Sequence, residues 1–302
     1  MPALCRGYLQ RCREKHRESE PQMHIAALIS SAVAVTTLST TSSVVLAGPF
    51  ASSVLDYDQG TNAAAGYTNA NAALGSAERF TGEGVFPGGV TPFNPTFGTD
   101  ELVSIGSGGH LDLGFDTAIT NSASHAYGID LIVFSNAGFA DSSWSDADPT
   151  NDGSGLTGGN PFIFGGGGAA TVQVSSDGLN WITAAVTTLD LFPTLGYSDF
   201  GVPTPGSLGS IESDFTQAMD PSLGLSDFAN LNFDQLVGLY NGSGGGVGID
   251  ISSTGLESAS FVRFLNESDS AFEIDAVVAV PAPGALALLS LGGICVSRSR
   301  RA

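Results

Sequence analysis

His110-Leu111-Asp112-Leu113-Gly114-Phe115-Asp116 decides the fold class of this chain. Leu111, Leu113 and Phe115 point one way and His110, Asp112 and Asp116 the other, the two-residue period of a strand with one buried face. Working outward, similar short runs read Glu101-Leu102-Val103-Ser104-Ile105, Gly128 to Phe134, Ala170 to Ser175, Trp181 to Val186, Phe261 to Leu265 and Phe272 to Val278. Turn signals separate them: Gly106-Ser107-Gly108-Gly109, Ser175-Ser176-Asp177-Gly178-Leu179-Asn180, and the run Gly165 to Gly168. The body of the chain has no Lys and little Glu, so good helix formers are scarce. Only Ser222 to Tyr240, with Leu223, Phe228, Leu231, Phe233, Leu236, Val237 and Leu239, admits a helical turn or two. Short strands joined by Gly/Ser/Asp turns predict an all-β protein, an antiparallel β-sandwich of jelly-roll type.

Two connections exceed ordinary turns. Ala137 to Gly168 is rich in Gly, Ser and Asp, and Leu189 to Gly248 holds Pro193, Pro203, Pro205 and Pro221. Loops of such length inside a compact domain are usually functional or disordered. No repeat of fixed period is present, which argues against a solenoid or propeller.

Charge and thiols narrow the function. Of ten Lys and Arg residues, five precede Met23 and three follow the last apolar stretch, which leaves Arg79 and Arg263 in an acidic body. Such a body repels phosphate backbones, so nucleic-acid binding is excluded. Its carboxylates lack salt-bridge partners and must be solvated, accept backbone hydrogen bonds, or hold cations such as calcium. Cys5, Cys12 and Cys295 all lie outside residues 48–278, so no disulfide framework is available to the body. The core alone must hold it, and roughly 230 residues from Gly48 to Val280 suffice for one large β domain.

Both ends read as addresses. Ile25 to Ala47 is apolar, with Val45-Leu46-Ala47 ahead of a signal-peptidase cut, so residues 1–47 are expected to be a signal peptide with an extended basic n-region, with Met23 as a second candidate start. At the other end Pro281-Ala282-Pro283-Gly284 breaks the chain, Ala285 to Val296 is apolar, and Arg298-Ser299-Arg300-Arg301 is a basic stop. A bilayer span takes about 20 apolar residues, and basic residues stay on the cytoplasmic side. The order of break, apolar helix and Arg-rich end resembles the PEP-CTERM sorting signal of bacterial exported proteins, with Pro281-Ala282-Pro283 in place of Pro-Glu-Pro. The resemblance implies a processing enzyme of exosortase type alongside signal peptidase, and transient anchoring in the inner membrane through the terminal helix. Residues 48–278 are then the extracellular domain and residues 279–302 the sorting signal.

The body carries a second resemblance. Val172-Gln173-Val174-Ser175-Ser176-Asp177-Gly178-Leu179-Asn180-Trp181 is similar to a hairpin of bacterial surface sandwiches that carry this tail and of discoidin-like, galactose-binding-like domains. Leu102 to Phe115, Gly128 to Asn136, Phe261 to Leu265 and Phe272 to Val277 resemble their other strands in the same order. In that hairpin Asp177-Gly178 makes the turn and Trp181 is expected to re-enter the core. The resemblance implies a module that binds sugars, calcium or surface polymers through variable loops.

Candidate sites follow from residue type. With only His110 and His125 in the body, both expected at the surface, and no Gly-x-Ser-x-Gly elbow, no catalytic centre is expected. Asp146, Asp148, Asn151 and Asp152 gather hard oxygen ligands on one loop and are the candidate calcium ligands, although their spacing is not that of an EF-hand. A weaker acidic group is Glu267 and Asp269 with Glu273 and Asp275, the latter two expected on a solvent face. Trp144 and Tyr197, with Tyr240 behind them, are the candidate sugar-binding aromatics. Arg263 is expected to take a carboxylate partner. Together these features predict an exported, non-catalytic surface or matrix protein that works in adhesion or in carbohydrate or matrix binding, with extracellular polysaccharide as a partner; the alternative is a secreted polysaccharide-active hydrolase or its binding module.

Overall fold

A computed structural model describes residues 48–82, 87–140, 168–199 and 208–282. The expected signal peptide, most of the sorting tail and the Asp146 loop lie outside the described residues. The fold is all-β and antiparallel. In chain order the strands are β1 (Ser53–Asp58), β2 (Phe80–Thr81), β3 (Gly88–Gly89), β4 (Val103–Ile105), β5 (His110–Thr120), β6 (Leu131–Phe134), β7 (Ala169–Ser175), β8 (Ile182–Thr188), β9 (Val247–Ile249), β10 (Ser258–Asn266), β11 (Phe272–Ile274) and β12 (Ala276–Ala279). Five of them form one sheet in the order β1-β5-β10-β7-β8; β12-β6-β9 and β11-β4 form two smaller ones, and β2 pairs with β3.

Alternation places the core. Leu111, Leu113 and Phe115 of β5, Val172 and Val174 of β7, and Val262 and Phe264 of β10 are buried in one cluster with Val103, Ile105, Leu131, Val133, Val247, Phe272 and Val277 of the smaller sheets. The five-stranded sheet and the smaller ones therefore share one core. On the far side of β6 and β12, Ile132, Phe134, Ala276 and Val278 pack with Phe215 and Ala218 of the long connection, so these two strands are covered on both faces. That is why Leu131-Ile132-Val133-Phe134 reads as a continuous apolar run rather than an alternating one.

Among the described residues the one α-helix, α1 (Phe233–Tyr240), falls inside the stretch that admitted a helical turn or two. Asn232 Oδ1 accepts from Gln235 N–H and Gln235 Oε1 accepts from Asn232 N–H, a reciprocal cap, and Asn241 ends the helix in the left-handed region at φ 49°. Its inner face buries Phe233, Leu236 and Tyr240. Among the described residues no helix is long and apolar enough to cross a membrane.

The acidic surplus is absorbed by the backbone. Asp58 accepts from Gly60 N–H, Asp214 from Thr216 N–H, Asp220 from Ser222 N–H, Asp227 from Gly224 N–H and Asp250 from Ser252 N–H. Asp177 accepts from both Leu179 and Asn180 N–H at 2.9 and 2.8 Å, and Asp199 from both Ser210 and Ile211 N–H. Asp177, Asp199 and Asp220 are held below the ordinary carboxylate range, Asp177 chiefly by Asn180 N–H, and Asp199 and Asp220 chiefly by the Ser210 and Ser222 hydroxyls with the backbone bonds behind them. Carboxylates thus close the turns where a better-balanced protein would pair charges.

Candidate functional site

Strand register lines up one polar rung across the whole five-stranded sheet. Asp56 of β1 stands opposite Asp112 of β5, Asp112 opposite Arg263 of β10, Arg263 opposite Gln173 of β7, and Gln173 opposite Thr183 of β8. Because Leu111, Leu113, Val172, Val174, Val262 and Phe264 point to the core, the rung points away from it. Arg263 donates from Nε to Asp112 Oδ1 at 2.7 Å and from a terminal nitrogen to Oδ2, a two-point contact. Gln173 Nε2 donates to Thr183 Oγ1 at 3.3 Å. His110 Nε2 lies 3.1 Å from Asp56 Oδ2, and His110 is the leading cause that keeps the exposed Asp56 below its ordinary range.

Trp181 completes this face. Ile182 pairs with the inward-facing Val174, so the preceding side chain turns outward, and the Trp181 ring lies 4.2 Å from the Arg263 guanidinium. The expectation that Trp181 re-enters the core is therefore corrected: it is half-buried on the open face and stacks on a cation. Gly178 does make the turn, at φ +72°. In the neighbouring rung Gly114 is opposite Phe261, and a Cβ on Gly114 would sit 2.9 Å from Leu55 Cδ1; the missing side chain lets Leu55 and Phe261 close over the strand. Leu55 is 44% exposed.

Asp56, His110 and Asp112 also have ligand atoms within 4.8 Å of one another, as a metal site requires. Asp112, however, gives both oxygens to Arg263, and His110 Nε2 faces Asp56. A cation there would displace the guanidinium, so Asp56 and Asp112 read as part of the rung and His110 as a neighbour that bonds Asp56.

The second acidic group divides. Glu267 accepts from Thr171 Oγ1 at 2.6 Å at the sheet surface. Glu273 and Asp275, expected on a solvent face, are instead 7% and 1% exposed. The reason is that β11 and β12 are covered on both sides: Glu273 accepts from Ser104 Oγ, and Asp275 accepts from Glu78 N–H and Thr96 Oγ1. Burial pushes both carboxyls up, Asp275 well above its ordinary range. His125 was expected at the surface and is likewise buried. Its Nδ1 lies 2.8 Å from Asp130 Oδ1, and Asp130 accepts from Ser122 and Ile251 N–H as well, so the pair ties the β5–β6 connection to the segment after β9.

Tyr197 pairs with Glu212, which lines a different feature, a cleft of about 450 Å³, together with Phe50, Arg79, Asp214, Phe215 and Thr216. Its ring is 5.6 Å from the Arg79 guanidinium, which sits 4.0 Å over Phe215 and donates to Ser213 O and Gly196 O. Arg79 thus latches two parts of the long connection together. Tyr240 is 1% exposed and its hydroxyl donates to Pro193 O at 2.7 Å, which removes it from the candidate sugar-binding aromatics. Trp144, Asp146, Asp148, Asn151 and Asp152 lie outside the described residues, as do Pro283, Gly284, Arg298, Arg300 and Arg301.

Pro281 and Ala282 are described, and the chain just before them meets the chain's first described residues. Ala51 N–H donates to Val277 O at 2.9 Å, Ala279 N–H donates to Pro49 O at 2.8 Å, and Phe50 pairs with Val278. Val280 N–H donates to Asp130 O, so the ladder runs to the residue before Pro281. A scan against protein-family models finds no matching family, and a search of curated proteins finds no matching relative.

Proposed function

We propose that this chain is an exported, non-catalytic surface or extracellular-matrix protein: a jelly-roll β-sandwich of galactose-binding-like type that associates with extracellular polysaccharide. It is cut after Ala47 by signal peptidase, held for a time in the inner membrane by its terminal apolar segment, and cut near Pro281 to Gly284 by an exosortase-type enzyme. The observation that carries this reading is the pairing of Pro49–Ala51 with Val277–Ala279. Removal of both flanking segments leaves the body's own ends fastened to each other.

Sheets that share one core support the sandwich type. His110 and His125 each face a carboxylate, Asp56 and Asp130, and the non-catalytic reading takes both as structural contacts. Calcium at Asp146, Asp148, Asn151 and Asp152 is part of the proposal as a stiffener of that loop. Cell fractionation with co-sedimentation against the host's own matrix tests it. The protein is expected in the envelope or medium and in the matrix pellet, without release of reducing sugar. Cytosolic recovery, or turnover that one carboxylate substitution abolishes, would overturn it in favour of an intracellular protein or of the hydrolase.

A further inference from the structure

We infer that the open face of the five-stranded sheet, built on Trp181, Arg263, Gln173 and Asp56, is a binding site for a neutral linear polysaccharide lying across the strands. The inference rests on the matrix-association reading above and gives it a site and a ligand class.

Three features of the face carry it. Its chemistry is mixed in the way a sugar ring requires: the Trp181 and Phe261 rings and Leu55 offer apolar surface to the carbon face, while Gln173, Thr183, His110 and Asp56 offer donors and acceptors at the edge. It is pre-organised, because Arg263 is fixed by two bonds to Asp112 and in turn supports the Trp181 ring, so little side-chain freedom is lost on binding. It is periodic, with one polar side chain per strand across all five strands, and strands lie about 4.8 Å apart, a spacing comparable to one sugar residue in an extended chain.

Charge selects the class of polymer. The cation of the rung is neutralised by Asp112, the exposed carboxylate of Asp56 stands at its end, and the whole chain carries a formal charge of -20. A polyuronate or sulfated polymer brings like charge to a surface with no uncommitted cation in the rung, so it is repelled. A neutral glucan meets no such penalty.

Affinity electrophoresis of the full chain in mild detergent tests this, with gels containing hydroxyethyl cellulose, alginate or no polymer. Retardation by hydroxyethyl cellulose and none by alginate is expected. Trp181→Ala and Gln173→Ala should each weaken it by about tenfold, the size of one good contact, and Trp181→Phe should retain most of it. Thermal melts run alongside; where Trp181→Ala itself melts early, Gln173→Ala carries the test, since its only bond in the rung is to Thr183. Retardation by alginate, or retardation untouched by both alanine variants, overturns the site and its ligand class while leaving matrix association standing. Migration unchanged by either polymer also overturns it, and co-sedimentation with native matrix then decides the broader reading separately.

Discussion

Asp112 and Arg263 are joined by two hydrogen bonds across β5 and β10, with side-chain exposures of 4% and 26%. A carboxylate so shielded is tolerable because its one cation is permanent: the Asp112 contact raises the Arg263 pKa further above its ordinary value. Removing one partner leaves the other charge stranded. Asp112→Ala should therefore cost about 3 kcal/mol in urea unfolding, while the paired change of Asp112 and Arg263 to Leu and Met should cost much less. Equal losses in the single and paired variants would mean that the contact contributes nothing specific.

Stability should peak on the acid side of neutral. Burial raises the folded-state pKa of Asp275 and Glu273, so their contribution is fully present below the ordinary carboxylate pKa of about 4 and is lost as pH rises through the raised values. Asp56, Asp177, Asp199 and Asp220 work oppositely: their lowered pKa values give stability that is present above about pH 4 and lost as pH falls through the folded values. The melting temperature is expected to be higher at about pH 5 than at about pH 8, with Asp275→Asn narrowing the difference. A melting temperature that climbs steadily to pH 8 would contradict the assignment.

The strands were legible because their core is. Each run read from alternation or apolar content has a strand within it, and Phe272 to Val278 contains two, interrupted at Asp275. β1 was not legible: a register shift between Val54 and Asp56 breaks its alternation, and most of its residues are exposed at the sheet edge. The candidate site was legible only in pieces. Arg263's need for a carboxylate followed from charge, yet its identity as Asp112 depended on a pairing 151 residues apart in sequence. The outward turn of Trp181 depended on the register of Ile182 with Val174, which no single strand reveals. Glu273 and Asp275 were misplaced because alternation locates the faces of a strand but not what covers the second face, and His125 because its burial depends on Asp130, which bonds Ile251 N–H 121 residues further on.

Trypsin should leave the folded body intact. Of its two basic residues, Arg263 lies in the interior strand β10 and Arg79 is latched to Ser213 O at 2.9 Å and stacked on Phe215. Digestion is expected to trim only basic sites outside residues 48–282 until urea is added. Prompt cleavage at Arg79 in native buffer would show that the latch opens.

Calcium should act through the Asp146 loop and not through the sheet. The melting temperature is expected to rise on calcium addition, to lose that rise in Asp146→Ala, and to keep it in Asp56→Ala. The reverse pattern would place the ion at Asp56, His110 and Asp112 and would require Arg263 to release Asp112.

The Arg-rich end should be required for C-terminal processing. Replacing Arg298, Arg300 and Arg301 with Gln is expected to leave the tail attached, seen as a heavier band in the membrane fraction. Normal trimming of this variant would remove the sorting role from these residues.

Intact mass measurement of the protein recovered from its native host tests export and double processing most directly. The mass expected is that of a chain beginning at Gly48 and ending between Pro281 and Gly284, recovered from envelope or matrix. A 302-residue chain recovered whole from the cytosol would contradict it.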